Sequence, residues 1–145
     1  MDRLERKNIR VKITKHDVED LYYVKTDPRI LKNQIIANIF SNAIKFSNSH
    51  TNIEIGLSRL DDKICLSILN FGACIDKVIV ENIFDTQITD NPKAGTVGEK
   101  GHGYGLYIMK NFADQLGIEI KIETSDGPKQ STRFDLLIDS GTQKN

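Results

Sequence analysis

The stretch NQIIANIFSNAIKFS, residues 33–47, repeats its apolar and polar positions with the period of an α-helix. At about 100° per residue, the polar side chains fall on one narrow stripe and the apolar side chains cover a wide arc opposite it. The width of this arc predicts a helix that is largely covered by the rest of the fold. The polar stripe consists of Gln34, Asn38, Ser41, Asn42 and Lys45.

Two asparagines of this stripe, Asn38 and Asn42, are four residues apart and are therefore neighbours on the helix surface. Burying their amides is costly unless a partner hydrogen-bonds to them. Taken alone, the stripe fits the solvated edge of an amphipathic helix better than a binding site, because polar residues are mostly exposed. A ligand that faces the stripe is the alternative, and the rest of the chain must decide between the two.

The remaining pattern alternates between strand and helix periods. Asp27 and Pro28 suit the N-cap and first position of the helix that ends near Ser47. Residues 85–105 show little periodicity and predict a flexible lid. The elements predict an α+β fold: a two-layer α/β sandwich, with a mixed sheet packed on three helices and the lid between the second and third helices. Strands are predicted at 9–13, 21–25, 53–60, 63–69, 118–124 and 132–138, and further helices at 76–84 and 106–116.

Composition excludes some function classes without selecting one. The chain has 145 residues, 39% hydrophobic and 28% charged, which is typical of one soluble domain with its own core. Its 20 basic and 20 acidic side chains cancel, so nucleic acid binding is disfavoured. No apolar run approaches the roughly 20 residues that span a bilayer, and the polar start MDRLERKN has no signal-peptide pattern. Cys65 and Cys74 fit free thiols in a reducing cytosol, so a cytoplasmic domain without membrane contact is predicted.

Three glycines at alternate positions, in the string GHGYGL at residues 101–106, come immediately before a predicted helix. Glycine lets a phosphate approach bare backbone, and the free N–H groups at a helix start attract anions. The string is not a Walker loop, since no Gly-Lys-Ser/Thr follows. It is not a dinucleotide fingerprint, since its spacing differs and no parallel βαβ unit surrounds it. On its own it fits a flexible linker as well as a phosphate cradle.

The order of these features along the chain resembles the catalytic ATP-binding domain of sensor histidine kinases, in the superfamily shared with gyrase, mismatch-repair and heat-shock-chaperone ATPases. Residues 27–46 are similar to the N box and its lead-in, Ile83 and Phe84 to the F box, and residues 101–106 to the second glycine box. Each motif alone is weakly specific, and all of them in this order are strongly specific. The resemblance covers residues 9–138. Residues 1–8 are then expected to be a remnant of an upstream linker or helix, and residues 139–145 a flexible tail.

The resemblance implies roles in binding ATP and Mg²⁺. Asn38 and Asn42 would be catalytic residues that ligate Mg²⁺ and hold the triphosphate, because amide oxygens are hard ligands. Lys45, also catalytic, would neutralise phosphate charge. Phe46 would lie against the adenine, with a place in the core as its alternative. The residues that the resemblance assigns to the nucleotide are Asn38, Asn42, Lys45, Phe46, Asn70, Gly72, Ile75, Gly101, His102, Gly103, Tyr104, Gly105, Leu106 and Thr132.

Within that set, the second glycine box would form the phosphate cradle. Gly101, Gly103 and Gly105, with the N–H of Leu106, would surround the phosphates as the lid closes. His102 would reach phosphate or Mg²⁺, and a solvent-facing position is its alternative. Thr132 would supply a hydroxyl near the base.

One motif departs from the family pattern. Where the first glycine box usually reads Asp-x-Gly-x-Gly, this chain has Asn70, Gly72 and Cys74. The amide of Asn70 can still accept a hydrogen bond from the adenine amino group, but without charge assistance such a bond has roughly half the strength. The side chain of Cys74 adds bulk where the backbone would approach closely. Weakened ATP binding is the expected consequence.

The implied function is that of a protein-histidine kinase: the domain positions Mg·ATP for phosphoryl transfer to a histidine on a dimerisation domain absent from this chain. The implied partners are that dimerisation and histidine-phosphotransfer domain and a response regulator. The isolated piece is expected to be a cytoplasmic monomer, and its parent protein can be membrane-anchored. The alternatives are a degenerate kinase-like domain, with weak or no ATP binding, that acts as a regulatory or protein-interaction module, and a stand-alone ATPase. Against the last, gyrase-like relatives usually carry a glutamate where this chain has Asn38.

Overall fold

The computed structural model describes residues 7–15, 23–73, 78, 80–81 and 102–141, and five strands of these residues form one sheet. The strands are β1 (Arg10–Lys15), β2 (Asn52–Leu60), β3 (Lys63–Phe71), β4 (Glu119–Ser125) and β5 (Ser131–Asp139). Their order across the sheet is β1-β2-β3-β5-β4. β1 runs parallel to β2, and the other neighbouring pairs are antiparallel. The predicted mixed sheet and α+β class are confirmed.

A two-residue turn at Asp61 and Asp62 joins β2 and β3 into the predicted hairpin. Leu60 pairs with Lys63 across the turn. Asp61 has a φ of 55°, in the left-handed region that aspartate adopts more readily than most residues. The turn therefore sets a register in which alternate residues of β3 face the helices.

The strand predicted at 21–25 is wrong for the part of it that the structure describes, residues 23–25. Val24 forms a single antiparallel bridge with Ser140. The N–H of Lys25 donates to the carbonyl of Asp139 at 2.8 Å, and the N–H of Gly141 donates to the carbonyl of Tyr23 at 2.7 Å. These contacts bind the segment to the end of β5 without adding a strand to the sheet.

The predicted asparagine-bearing helix is present and runs unbroken through Pro28–Phe46. It consists of α1 (Pro28–Ile30), a π-helical stretch (Leu31–Ile36) and α2 (Ala37–Phe46), and we call the three together the asparagine helix. Asp27 caps it as predicted, since its carboxylate accepts from the N–H groups of Arg29 and Ile30 at 2.9 and 3.3 Å. Immediately after the π-helical stretch, the N–H of Ala37 donates to the carbonyl of Lys32, five residues earlier.

A second long helix, α3 (His102–Leu116), packs against the asparagine helix on the same face of the sheet. It begins at His102 rather than at Leu106, so the predicted start is wrong. Gly117 ends the helix as predicted, with a φ of 72° that glycine adopts without strain. The additional first turn runs through Gly103 and Gly105, whose helix propensity is poor, so local propensity does not predict it.

The core lies between this helical layer and the sheet. Each of its fully buried aliphatic or aromatic side chains contributes about 1.5–3 kcal/mol to folding. The asparagine helix is held by the apolar arc that the sequence predicted, with Ile35, Ile39 and Ala43 buried. The other core residues include Ile53, Ile68, Leu106, Met109, Ala113, Phe134, Leu136 and Ile138.

Two predictions fall largely outside the described residues. Of the helix predicted at 76–84, Val78, Val80 and Glu81 are helical. The lid predicted at 85–105 lies outside the described residues except for residues 102–105, which belong to α3. Among the residues that are described, none of the helices has the length and apolar character needed to cross a membrane.

Candidate functional site

The polar stripe of the asparagine helix is half-buried at its centre. Asn38 and Asn42 are partly covered, and Lys45 is exposed. The amide nitrogen of Asn38 donates to the backbone carbonyl of Gln34 at 2.6 Å. This hydrogen bond uses the nitrogen of the carboxamide, so its oxygen is the atom that can ligate a cation. The ammonium of Lys45 lies 5.5 Å from the centroid of the Phe46 ring, within the range of a cation–π contact.

A second polar group lies where β3 ends and the antiparallel β5 begins, on the side of the sheet that faces the helices. Asn70 is 3% exposed and pairs directly with Thr132, which is 2% exposed. Alternation along a strand puts Asn70 on the same face as the core residue Ile68, and Thr132 on the same face as Phe134. The amide nitrogen of Asn70 is buried and has no hydrogen-bond partner among the described residues. Such a group is rare in folded proteins and calls for an explanation.

Gly72, the residue immediately after β3, lies too close to the backbone at the end of α2 for any side chain to fit. A Cβ atom on Gly72 would lie 1.9 Å from the carbonyl oxygen of Phe46 and 2.9 Å from the amide nitrogen of Asn48. The same crossing is closed by a hydrogen bond of 2.9 Å from the N–H of Asn48 to the carbonyl of Phe71. The close approach at Gly72 is therefore to the end of α2, and it brings Phe46 and Gly72 together.

The second glycine box is arranged differently from the prediction. Gly103 and Gly105 belong to the first turns of α3 rather than to a loop before it. Leu106, the fifth residue of the helix, is fully buried, and an N–H at that position bonds within the helix. The earlier N–H groups are the ones that α3 leaves for an anion. Gly101 and Ile75, and the side chains of His102 and Tyr104, lie outside what the structure describes.

Two contributions to this region were not predicted. The carbonyl of Gln34, which holds the Asn38 amide, comes from the π-helical stretch, and the apolar periodicity gives no sign of that stretch. The ammonium of Lys7 donates to carbonyls in and just after the last turn of α2, 37 to 40 residues away in sequence. Lys7 belongs to a charged lead-in whose pattern does not distinguish this lysine from a solvated one.

The chain belongs to a known family. Residues 26–142, most of the chain, match the model for histidine kinase-, DNA gyrase B-, and HSP90-like ATPases. This match confirms the family that the order of the motifs predicted. It also identifies the class of protein as one built on an ATPase domain.

Relatives with curated descriptions are sensor kinases. The sensor protein kinase GraS of Staphylococcus aureus strain JH1 is 33% identical over 112 residues, which cover 77% of this chain and 31% of GraS. GraS of Staphylococcus aureus strain Newman matches with the same identity and coverage. The chain therefore spans about a third of the length of these curated relatives.

Solved histidine kinases share the fold. The catalytic domain of histidine kinase ThkA, in a nucleotide-free form, superposes with a TM-score of 0.67 at 26% identity, and the match covers 94% of this chain and 82% of the solved ThkA domain. The mycobacterial sensor histidine kinase MprB has a TM-score of 0.71 at 19% identity, with 97% and 88% of the two chains covered. Full-length ShkA, solved in complex with AMPPNP, has a TM-score of 0.69 at 20% identity, with 99% and 28% covered. The predicted fold class is confirmed by these neighbours.

Proposed function

We propose that the chain is the ATP-binding catalytic domain of a two-component sensor histidine kinase, formed by residues 9–138. It holds Mg·ATP for phosphoryl transfer to a histidine on a dimerisation domain of the parent protein, and a response regulator is the partner that receives the phosphoryl group next. Membership of the ATPase family and similarity to the GraS sensor kinases support the proposal.

The observation that carries the proposal is the buried amide nitrogen of Asn70, which has no hydrogen-bond acceptor in the described part of the chain. A buried donor without an acceptor costs about 1–3 kcal/mol. This cost is offset when a ligand supplies the acceptor. Adenine presents a donor and an acceptor side by side, and a carboxamide presents the complementary pair. Asn70, with Thr132 opposite it, therefore fits the edge of an adenine base.

The polar stripe would form the phosphate side of the same site. Asn38 and Asn42 present amide oxygens, which are hard ligands suited to Mg²⁺ together with phosphate oxygens. The hydrogen bond to Gln34 fixes the Asn38 carboxamide before any ligand arrives, so less conformational entropy is lost on binding. Lys45 adds a positive charge one turn beyond Asn42, on the same side of the helix.

The residues of the chain would act by binding and orienting. ATP, when bound, supplies the γ-phosphoryl group that is transferred. Asn38, Asn42 and Lys45 hold the charged end in place, which lowers the entropic part of the barrier. Asn70 and Thr132 hold the base at the other end, and the first N–H groups of α3 offer positive partial charge to an anion.

Replacing Asn70 with leucine is expected to weaken binding of a non-hydrolysable ATP analogue with Mg²⁺ by about tenfold or more. The same variant is expected to unfold at an unchanged or higher temperature, because the change removes a buried donor for which the described residues supply no acceptor. Isothermal titration calorimetry measures the first effect and differential scanning calorimetry the second. A loss of binding without a loss of stability is characteristic of a ligand-binding group.

Asn111→Leu is the matched control, since Asn111 is an exposed asparagine on α3. It makes the same chemical change away from the site and is expected to leave the affinity unchanged. If Asn70→Leu lowers the unfolding temperature and binds the analogue as wild type does, the amide serves the fold, and adenine does not lie against it.

A further inference from the structure

The ammonium of Lys7 contacts the end of the helix that carries the phosphate-side residues. It donates to the carbonyl oxygens of Ile44, Lys45 and Ser47 at 3.0, 2.9 and 3.1 Å. A lysine ammonium has three donors, and all three are used here. The carbonyls at a helix end lack intrahelical partners and carry partial negative charge, so a cation is favoured at this position. The contact is a specific C-terminal cap supplied from a distant part of the sequence.

The backbone around Lys7 is attached to the same region. The carbonyl of Lys7 accepts from the N–H of His50 at 3.0 Å, and the N–H of Arg10 donates to the carbonyl of Thr51 at 3.3 Å. The segment that leads into β1 therefore lies along the loop that follows α2. A displacement of this segment acts on the helix end through the side chain of Lys7 and on the loop through its backbone.

The end of α2 is also joined to the adenine side of the site. Phe46 is in close contact with Gly72, and the N–H of Asn48 bonds to the carbonyl of Phe71. Asn70 is the residue before Phe71. The last turn of α2 thus connects the segment at Lys7, the phosphate-side residues Asn42 and Lys45, and the strand end that bears Asn70.

We propose that Lys7 is a positioning residue of the nucleotide site, which couples the chain entering the domain to the asparagine helix. In this arrangement the position of the entering segment sets the nucleotide affinity, and bound nucleotide in turn restrains the entering segment, because coupling between two sites is reciprocal. The inference deepens the proposed function and rests on it.

A merely structural cap would affect stability without affecting this coupling. Helix capping by a cation stabilises the folded state whether or not nucleotide is bound. Coupling requires in addition that nucleotide binding at the proposed site changes the hydrogen exchange of the His50 amide, which bonds to the carbonyl of Lys7. The response of His50 to nucleotide therefore distinguishes the two roles.

The test compares the wild-type chain with Lys7→Met, Lys7→Arg and Lys12→Met. Methionine keeps most of the aliphatic stem and removes the ammonium, and arginine keeps charged donors. Lys12, exposed on β1, is the matched control for the loss of one positive charge. Affinity for a non-hydrolysable ATP analogue with Mg²⁺ is measured by calorimetry at a temperature where all four proteins are folded. Amide hydrogen exchange at Ser47, Asn48 and His50 is measured with and without the analogue.

Lys7→Met is expected to bind the analogue about fivefold more weakly or worse, the lower end of a typical allosteric coupling. Lys12→Met and Lys7→Arg are expected to bind within about twofold of wild type. Nucleotide is expected to slow exchange at His50 in the wild type and to lose that effect in Lys7→Met. Equal affinities for Lys7→Met and Lys12→Met, or a nucleotide response at His50 that survives in Lys7→Met, overturn the inference.

The nucleotide-free exchange data separate this inference from the proposed function. Without the Lys7 ammonium, the amides of Ser47 and Asn48 are expected to exchange faster even when no nucleotide is present. Unchanged exchange there overturns the Lys7 contact itself. If the wild-type chain binds no nucleotide, the proposed function is overturned. The coupling inference then fails with it, whatever the exchange rates at Ser47 and Asn48 show.

Discussion

Replacing Asn42 with alanine is expected to lower the affinity for a non-hydrolysable ATP analogue with Mg²⁺ by about 30-fold, which corresponds to ~2 kcal/mol. The reason is that the amide oxygen of Asn42 is proposed as a ligand at the charged end of the nucleotide, where each lost contact is worth more than a neutral hydrogen bond. Calorimetric titration measures the effect. Folding is not expected to suffer, because alanine is the best helix former and Asn42 lies within α2.

The control for this prediction is Asn33→Ala. Asn33 is an exposed asparagine of the π-helical stretch and lies away from the polar stripe. Both variants replace an asparagine of the asparagine helix with alanine, so a difference in nucleotide affinity between them is due to the position of the asparagine. Equal binding by Asn42→Ala and wild type would remove the asparagine helix from the proposed site.

Replacing Gly72 with alanine is expected to destabilise the domain by about 3 kcal/mol, at the upper end of the cost of overpacking. The added methyl group would lie 1.9 Å from the backbone oxygen of Phe46, and backbone cannot move aside as a flexible side chain can. For a domain of this size the unfolding temperature should fall by roughly 10 °C. Thermal unfolding followed by circular dichroism or calorimetry measures it.

Gly127→Ala is the matched control, since a Cβ atom at Gly127 would meet nothing within 4 Å. Its unfolding temperature is expected to stay within a few degrees of wild type, the usual result for an exposed substitution. If Gly72→Ala unfolds at the same temperature as Gly127→Ala, the crossing of β3 and the end of α2 is looser than the structure describes. The coupling inferred through that crossing would then lose its support.

The elements that the sequence predicted well are those whose side chains alternate strongly between core and solvent. The asparagine helix was recognised from its apolar arc, and Ile35, Ile39 and Ala43 are buried as that arc requires. The hairpin was recognised because two alternating stretches flank a short polar turn at Asp61 and Asp62. In both cases burial of one face supplies most of the folding free energy, so the pattern of the sequence carries the information.

Features that depend on tertiary contacts were predicted poorly. The start of α3 at His102 runs through two glycines, which local propensity assigns to a loop. The single bridge at Val24 stands where a strand was expected, because its partner at Ser140 lies far along the chain. The π-helical stretch leaves the apolar pattern almost unchanged, so the bond from Asn38 to Gln34 was not foreseen.

The candidate site was predictable to the extent that its residues follow motifs. The structure pairs Asn70 with Thr132 and brings Phe46 against Gly72, all of them residues that the sequence selected. The sequence identified the adenine side as the place where this chain departs from its family. It did not reveal that the Asn70 amide nitrogen is buried with no partner among residues 7–15, 23–73, 78, 80–81 and 102–141, because burial and hydrogen bonding depend on the neighbouring strands.

The central claim is that this chain binds Mg·ATP, and calorimetric titration of the wild-type chain with a non-hydrolysable ATP analogue tests it most directly. With Mg²⁺ present, we predict saturable one-to-one binding below millimolar nucleotide, a matching rise in unfolding temperature, and weaker binding when Mg²⁺ is omitted. No binding heat and no rise in unfolding temperature at millimolar nucleotide would contradict the proposed function. That result would favour a degenerate kinase-like domain that no longer binds nucleotide.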